Sequence, residues 1–190
     1  MAIVTTRDED SSREFKAAWS EAVHTSHEGT LEEVLPLLDS PWPAVRLHIV
    51  RALRKRNQAE AMPSLIEHAA HEKDDSVRSA IAVALRDFRD ERAVETLWTM
   101  CEEGPDEVSI PALQGLSRLG DDRVIPLATS WYQSEDRLKR TAAIFDLSLL
   151  ESPEGKKALA DLIAAESSWR QRASNRRTIA RARKWRSGQS

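Results

Sequence analysis

The side chains best suited to hold a metal or move a proton in this 190-residue chain are its five histidines, His24, His27, His48, His68 and His71. Two segments share one pattern, His24-Thr25-Ser26-His27-Glu28 and His68-Ala69-Ala70-His71-Glu72. Imidazoles at i and i+3 sit on one side of a helix, so each segment has the spacing of a two-ligand clamp. A full site needs the two segments to converge. Helical periodicity places the first at the end of one helix and the second at the end of a helix running the other way, and such ends lie at opposite edges of a helical pair. The expectation is exposed helix-end histidines, with no metal and no cofactor.

The lone cysteine, Cys101, falls in an apolar helical register with Ala69, Trp131 and Ile163, surroundings that do not favour a thiolate. Trp98 shares a second register with Ile66, Ala128 and Ala160, large beside small, as a stacked core is filled. No Gly-rich phosphate loop, CxxC pair or Ser-His-Asp arrangement is visible. The residues therefore supply no catalytic candidate, and the expectation is a protein that is not an enzyme.

The elements that carry these residues are helices. Ser11-Ser12-Arg13-Glu14 has the form of a capping box before Phe15, Ala18, Trp19, Ala22 and Val23. Gly29 stops that helix, and Thr30-Leu31-Glu32-Glu33 is a second capping box opening Leu31, Val34, Leu35 and Leu38. Val45, Ile49, Ala52 and Leu53 form one helical face, and Met62, Leu65, Ile66 and Ala69 form the next. Further pairs follow, Val77 to Leu85 with Val94 to Cys101, then Val108 to Leu116 with Val124 to Trp131. Ala142 to Leu147 with Leu159 to Ile163 makes the fifth, and a last helix near Trp169 to Arg186 has no partner.

The pairs repeat at a fixed distance. Phe15, Val45, Val77, Val108 and Lys139 are spaced 30, 32, 31 and 31, and Leu53, Leu85, Leu116 and Leu147 are spaced 32, 31 and 31. One helical hairpin per period of about this length is the signature of an α-solenoid. The predicted fold is all-α, with about five hairpins and a C-terminal capping helix in a single solenoid over residues 12–186. Flexible segments at 1–11 and 187–190 would flank it. Stacked hairpins of this kind are expected to form an elongated right-handed superhelical arc.

Two stretches, Leu38-Asp39-Ser40-Pro41-Trp42-Pro43-Ala44-Val45-Arg46 and Asp74-Asp75-Ser76-Val77-Arg78-Ser79-Ala80, resemble the HEAT repeat in its short, phycobilisome-lyase-like form. Leu119-Gly120-Asp121-Asp122-Arg123-Val124 is similar to the turn between that repeat's helices. Ser109 stands where Arg46, Arg78 and Arg140 stand, and Lys139 replaces the valine, so the fourth repeat should lack that arginine's contacts. The resemblance implies an armadillo-like helical scaffold that binds proteins. It also brings three other readings: a di-iron site between His-Glu dyads, a nucleic-acid binder of the DNA-glycosylase type, and a lyase subunit attaching bilin pigments. The first requires the convergence argued against above.

In such solenoids the second helices line the inner face. Off their apolar stripe lie Glu67, Glu95, Thr99, Glu102, Glu103, Thr129 and Tyr132, a shallow, mostly acidic groove suited to a basic or polar protein partner. Those glutamates would repel phosphates, which counts against nucleic acid. The C-terminal end has the opposite sign. From Ser167 onward the chain holds seven Arg and one Lys with no acid; taking that +8 from the formal net charge of −3 leaves −11 on the rest. Arg170, Arg172, Arg176, Arg177, Arg181, Arg183, Lys184 and Arg186 are thus either the polar face of a cap or an anion-binding patch. Trp169, Ala173 and Ala180 would dock this helix near Leu162 and Ile163, with Trp185 projecting elsewhere.

Apolar residues make up 41% of the chain and charged residues 31%, the mix of a folded globular protein. Apolar runs are too short to span a bilayer, and the start, with Arg7-Asp8-Glu9-Asp10, has no signal-peptide form. One cysteine fits a reducing compartment. A cytoplasmic protein with no membrane partner is the expectation.

Overall fold

The computed structural model describes residues 6–187, with side chains from Ser11 onward, and among these residues there is helix and no strand. Residues 1–5 and 188–190 of the two expected flanking segments lie outside the described residues. The chain divides into two compact units, 1–88 and 89–190.

The first unit holds α1 (Thr6–Glu28), α2 (Leu31–Val34) continued by a 3-10 turn (Leu35–Asp39), α3 (Pro43–Lys55), α4 (Met62–Ala69) and α5 (Asp75–Phe88). Helix α1 starts at Thr6, so Ser11 and Ser12 lie inside it and do not cap it. The capping box at Thr30 is formed as expected: the Glu33 carboxylate accepts from the Thr30 N–H at 2.8 Å, and Thr30 Oγ1 accepts from the Glu33 N–H at 3.4 Å. Pro43 opens α3 at a position whose N–H would have no helical partner. Helix α3 packs on α1 and α5, and its stripe Val45, Ile49 and Leu53 is fully buried. Met62 and Leu65 of α4 and Val77, Ile81 and Leu85 of α5 are equally inaccessible, each burial being worth about 1.5–3 kcal/mol.

The second unit holds α6 (Val94–Glu103), α7 (Asp106–Leu119), α8 (Val124–Tyr132), α9 (Arg137–Leu147), α10 (Pro153–Ala165) and α11 (Trp169–Arg186). Helix α9 touches α7, α8, α10 and α11, which is why every residue from Ala142 to Leu150 is buried. Lys139, in the valine's place, reaches Asp106 at 2.8 Å with its Nζ 5.9 Å from the Trp131 ring.

The turns inside the repeats recur as regularly as the helices. Asn57, Arg89 and Gly120 have φ of 52°, 56° and 80°, the left-handed conformation that ends a helix, and only the last is glycine. In the turns that follow, Asp90 accepts from the Arg92 N–H at 2.9 Å and Asp121 from the Arg123 N–H at 3.0 Å.

Helix α11 departs from the expected docking. Its inward residues are Asn175, Thr178 and Ala182, and its partner is α9, the first helix of the fifth pair, not α10. Phe145, Leu149, Ala182 and Trp185 form one cluster, with the Phe145 and Trp185 ring centroids 5.4 Å apart. Trp185 is therefore a packing residue, and Trp169 is the exposed one at 68%. In the first unit α3 packs on α1 and α5, first helix on first helix, and α11 on α9 repeats that relation. It takes the place of the first helix of a sixth repeat. One bond confirms the register. Arg172 donates to Glu166 O at 3.0 Å, as Arg140 does to Ser134 O at 2.6 Å and Arg46 to Ser40 O at 2.8 Å, each reaching back six residues.

Candidate binding grooves

In the first unit a cavity of about 760 Å³ opens between the α2 segment and α4, lined by Glu32, Leu35, Pro36, Leu38, Asp39, Ser40, Arg46, Ser64, Glu67, His68, His71, Glu72 and Lys73. Its floor is a buried ion cluster. Arg46 Nε and one terminal nitrogen each donate to the Glu72 carboxylate at 2.7 Å, and that side chain is 1% exposed. His68 Nε2 lies 2.8 Å from Glu72 Oε2, and its Nδ1 lies 3.9 Å from Asp39. The backbone N–H groups of Lys73 and Asp74 also donate to Glu72, both at 2.9 Å. Burial alone would raise the Glu72 carboxyl. The Arg46 guanidinium, the Asp74 N–H and His68 outweigh it and hold the group at about 2.

This arrangement corrects the picture of His68 as an exposed helix-end residue: its side chain is 14% exposed and bonded to a buried carboxylate. The other segment behaves as expected, with His24 and Glu28 both 72% exposed and 3.7 Å apart. Among the described residues no three His, Cys, Asp or Glu side chains gather as a metal site. Besides its two histidines, the lining carries four carboxylates against Arg46 and Lys73. Glu32 and Glu67 have no partner among the described residues.

In the second unit a cavity of about 440 Å³ is lined by Glu95, Trp98, Thr99, Glu102 and Arg123. Trp98 Nε1 donates to Asp121 at 2.9 Å, and Arg123 bridges Asp121 (2.7 Å) and Glu95 (3.0 Å) while lying 5.3 Å from the Trp98 ring. Burial works against the Asp121 carboxyl, but Arg123 and the Trp98 indole hold it below its ordinary range.

Of the predicted groove residues, Glu95, Thr99 and Glu102 come together here and Glu67 lines the first-unit cavity. Glu103 is exposed and lines neither cavity. Thr129 turns its hydroxyl back to Ile125 O at 2.8 Å. Tyr132 is half-buried in a polar chain in which Gln171 donates to Asn175, Asn175 to the Tyr132 hydroxyl, and that hydroxyl to Glu166. Arg123, Arg46 and Glu72 were missed. The repeated turn at Asp90-Glu91-Arg92 and Asp121-Asp122-Arg123 is the signal that could have found the first.

The basic residues of α11, Arg170, Arg172, Arg176, Arg177, Arg181, Arg183, Lys184 and Arg186, are all exposed. Four have partners: Arg172 caps the Glu166 carbonyl, Arg186 pairs with Glu151 at 3.2 Å, Arg181 lies 5.6 Å from the Phe145 ring, and Arg170 lies 5.4 Å from the Trp169 ring. Cys101 is buried, and burial, then the Asp146 carboxylate, pushes its thiol up to about 12, far from a nucleophile's range.

Residues 31–117 match the family model for HEAT repeats. A solved structure, the complex of CpcE and CpcF of phycocyanin lyase from Nostoc sp. PCC7120, shares the fold with a TM-score of 0.59 at 20% identity, over 90% of this chain and 71% of that one. No curated protein matches in sequence. The solved complex overturns the expectation that the chain is not an enzyme, because this fold is one that a lyase uses. The physical reason is that a solenoid draws groups from separate repeats, so chemistry there leaves no short motif to read. No helix of the described residues is long and apolar enough to cross a membrane.

Proposed function

We infer that this chain, whose residues 31–117 match the family model for HEAT repeats, recognises a protein partner through acidic grooves on the second-helix side of its repeats. The observation that carries the reading is the first-unit cavity, where Glu32 and Glu67 stand exposed above a floor held rigid by Arg46, Glu72 and His68. A preorganised floor with unpaired carboxylates at the rim suits lysine or arginine side chains of a partner segment. The second-unit cavity has the same sign, with Glu95 and Glu102 against Arg123. The solved relative is a complex of two proteins, which supports a chain that works in association.

The test is cross-linking and mass spectrometry of proteins captured by the native chain, compared with a Glu32→Lys, Glu67→Lys variant of equal stability. Loss of a salt-sensitive partner in the variant supports the reading, and an unchanged captured set overturns it. Lyase activity is the second reading, favoured by the solved complex alone. It is tested by following the visible absorption of phycocyanin with the chain and its captured partner, and no spectral change would falsify it.

A further inference from the structure

Apart from the acidic cavity of the first unit, α1 and α3 of that unit border a cavity of about 340 Å³ lined by Ser26, His27, His48, Arg51, Ala52, Lys55 and Arg56. It shares no residue with the acidic cavity of that unit. We propose that this cavity is a site for a phosphomonoester dianion.

The lining contains no carboxylate, and every ionisable side chain in it is a cation or an imidazole. Arg56 is anchored, donating to Ser26 O at 3.1 Å and Gly29 O at 2.9 Å, so one positive charge is fixed at the rim. Ser26 is 4% exposed. Its hydroxyl donates to Val23 O at 3.0 Å, so toward His48 Nε2, 2.9 Å away, it can only accept. His48 therefore carries its hydrogen on Nε2, and the serine is a satisfied anchor for the ring, not an activated nucleophile. Trp19 holds the other side of that ring, at 5.1 Å between centroids.

His48, Arg51 and Lys55 follow one another at i, i+3 and i+7, a single basic stripe on α3. On the same helix Arg54 is paired with Asp87 at 3.5 Å, whereas Arg51 and Lys55 have no partner among the described residues. Compensation of the helix dipole accounts for cations in the last turn, Arg54 and Lys55, but not for Arg51 or His48 further in. Burial, then the neighbouring His27, lowers the His48 pKa. Two free cations beside the anchored Arg56, around a small cavity without a carboxylate, suit a tetrahedral dianion better than a single carboxylate. The dianion can come from a free phosphorylated metabolite or from a phosphorylated side chain of a partner.

The test follows the His27 and His48 imidazole resonances by NMR as inorganic phosphate is added to the full chain. A phosphoserine peptide and its unphosphorylated form provide the second arm. Saturable shifts with phosphate are expected, weakened by about tenfold or more in Arg51→Gln, Lys55→Gln, with an unchanged melting point. A phosphopeptide that binds more tightly than phosphate assigns the site to a modified protein; equal affinity assigns it to the free ion. Absence of saturable shifts, or equal binding by the double variant, overturns the proposal. Neither result bears on the acidic grooves, whose residues are left intact.

Discussion

Arg46, in the first turn of α3, closes a bidentate pair on the Glu72 carboxylate 26 residues downstream, with both bonds at 2.7 Å. The pair ties the start of one helix to the loop after the next, and the carboxylate it holds is out of contact with water. Arg46→Ala leaves that charge buried alone, and we expect a loss of about 3–5 kcal/mol in urea unfolding. A loss below 1 kcal/mol would mean that Glu72 is solvated.

The same pair gives stability a pH dependence. The Glu72 carboxyl titrates near 2 in the folded chain, against 4.5 without its partners. Above pH 4.5 both states are ionised, and the full contribution, on the order of 3 kcal/mol, is present. Between about pH 4.5 and 2 the unfolded chain takes up the proton first, and that contribution is lost. Unfolding free energy measured across this window should fall more steeply for the native chain than for Glu72→Gln.

Leu85 is fully buried in α5. Leu85→Ala should cost about 2–5 kcal/mol. An unchanged denaturation midpoint would contradict the repeat register itself.

The two tryptophans of α11 should separate cleanly. Trp185 packs on Phe145, with the Arg118 guanidinium 3.8 Å from its ring centre, so Trp185→Ala should lower stability by about 2–4 kcal/mol. Trp169→Ala, at a 68% exposed position, should change it by less than about 0.5 kcal/mol. Thermal melts of both variants decide the face on which the helix docks.

Arg89 holds a left-handed φ of 56° at a place where the next repeat has Gly120. Arg89→Gly should stabilise the protein by about 0.5–1 kcal/mol, because glycine adopts this conformation without the Cβ clash. A destabilised variant would show that the Arg89 side chain contributes packing that outweighs the backbone strain.

The fold was legible because stacking imposes the same burial on every copy. Val45, Val77 and Val108, read at a period near 31, are all fully buried, as are Leu53, Leu85, Leu116 and Leu147. The docking of α11 was not legible from apolar residues, because Asn175 and Thr178 occupy inward positions. The clue lay in Arg172, the next member of the series Arg46, Arg78 and Arg140. His68 was misread for a different reason. Its spacing to Glu72 is local, but the burial of that carboxylate depends on Arg46, and no periodicity reports a pairing across two helices. The groove residues were legible only in part, since Thr129 and Tyr132 satisfy their hydroxyls within the second unit.

Helix α11 works as an impurity layer works on a growing crystal. A helix stack adds layers as long as its last face is aliphatic and matches the one before. Helix α11 keeps the lattice spacing through Arg172 and Ala182, but its outward side offers Arg176, Arg177 and Arg183, all in water. A further helix, from this chain or another copy, meets guanidinium where it needs leucine. On this face the stack offers charge and water where helix packing needs aliphatic surface.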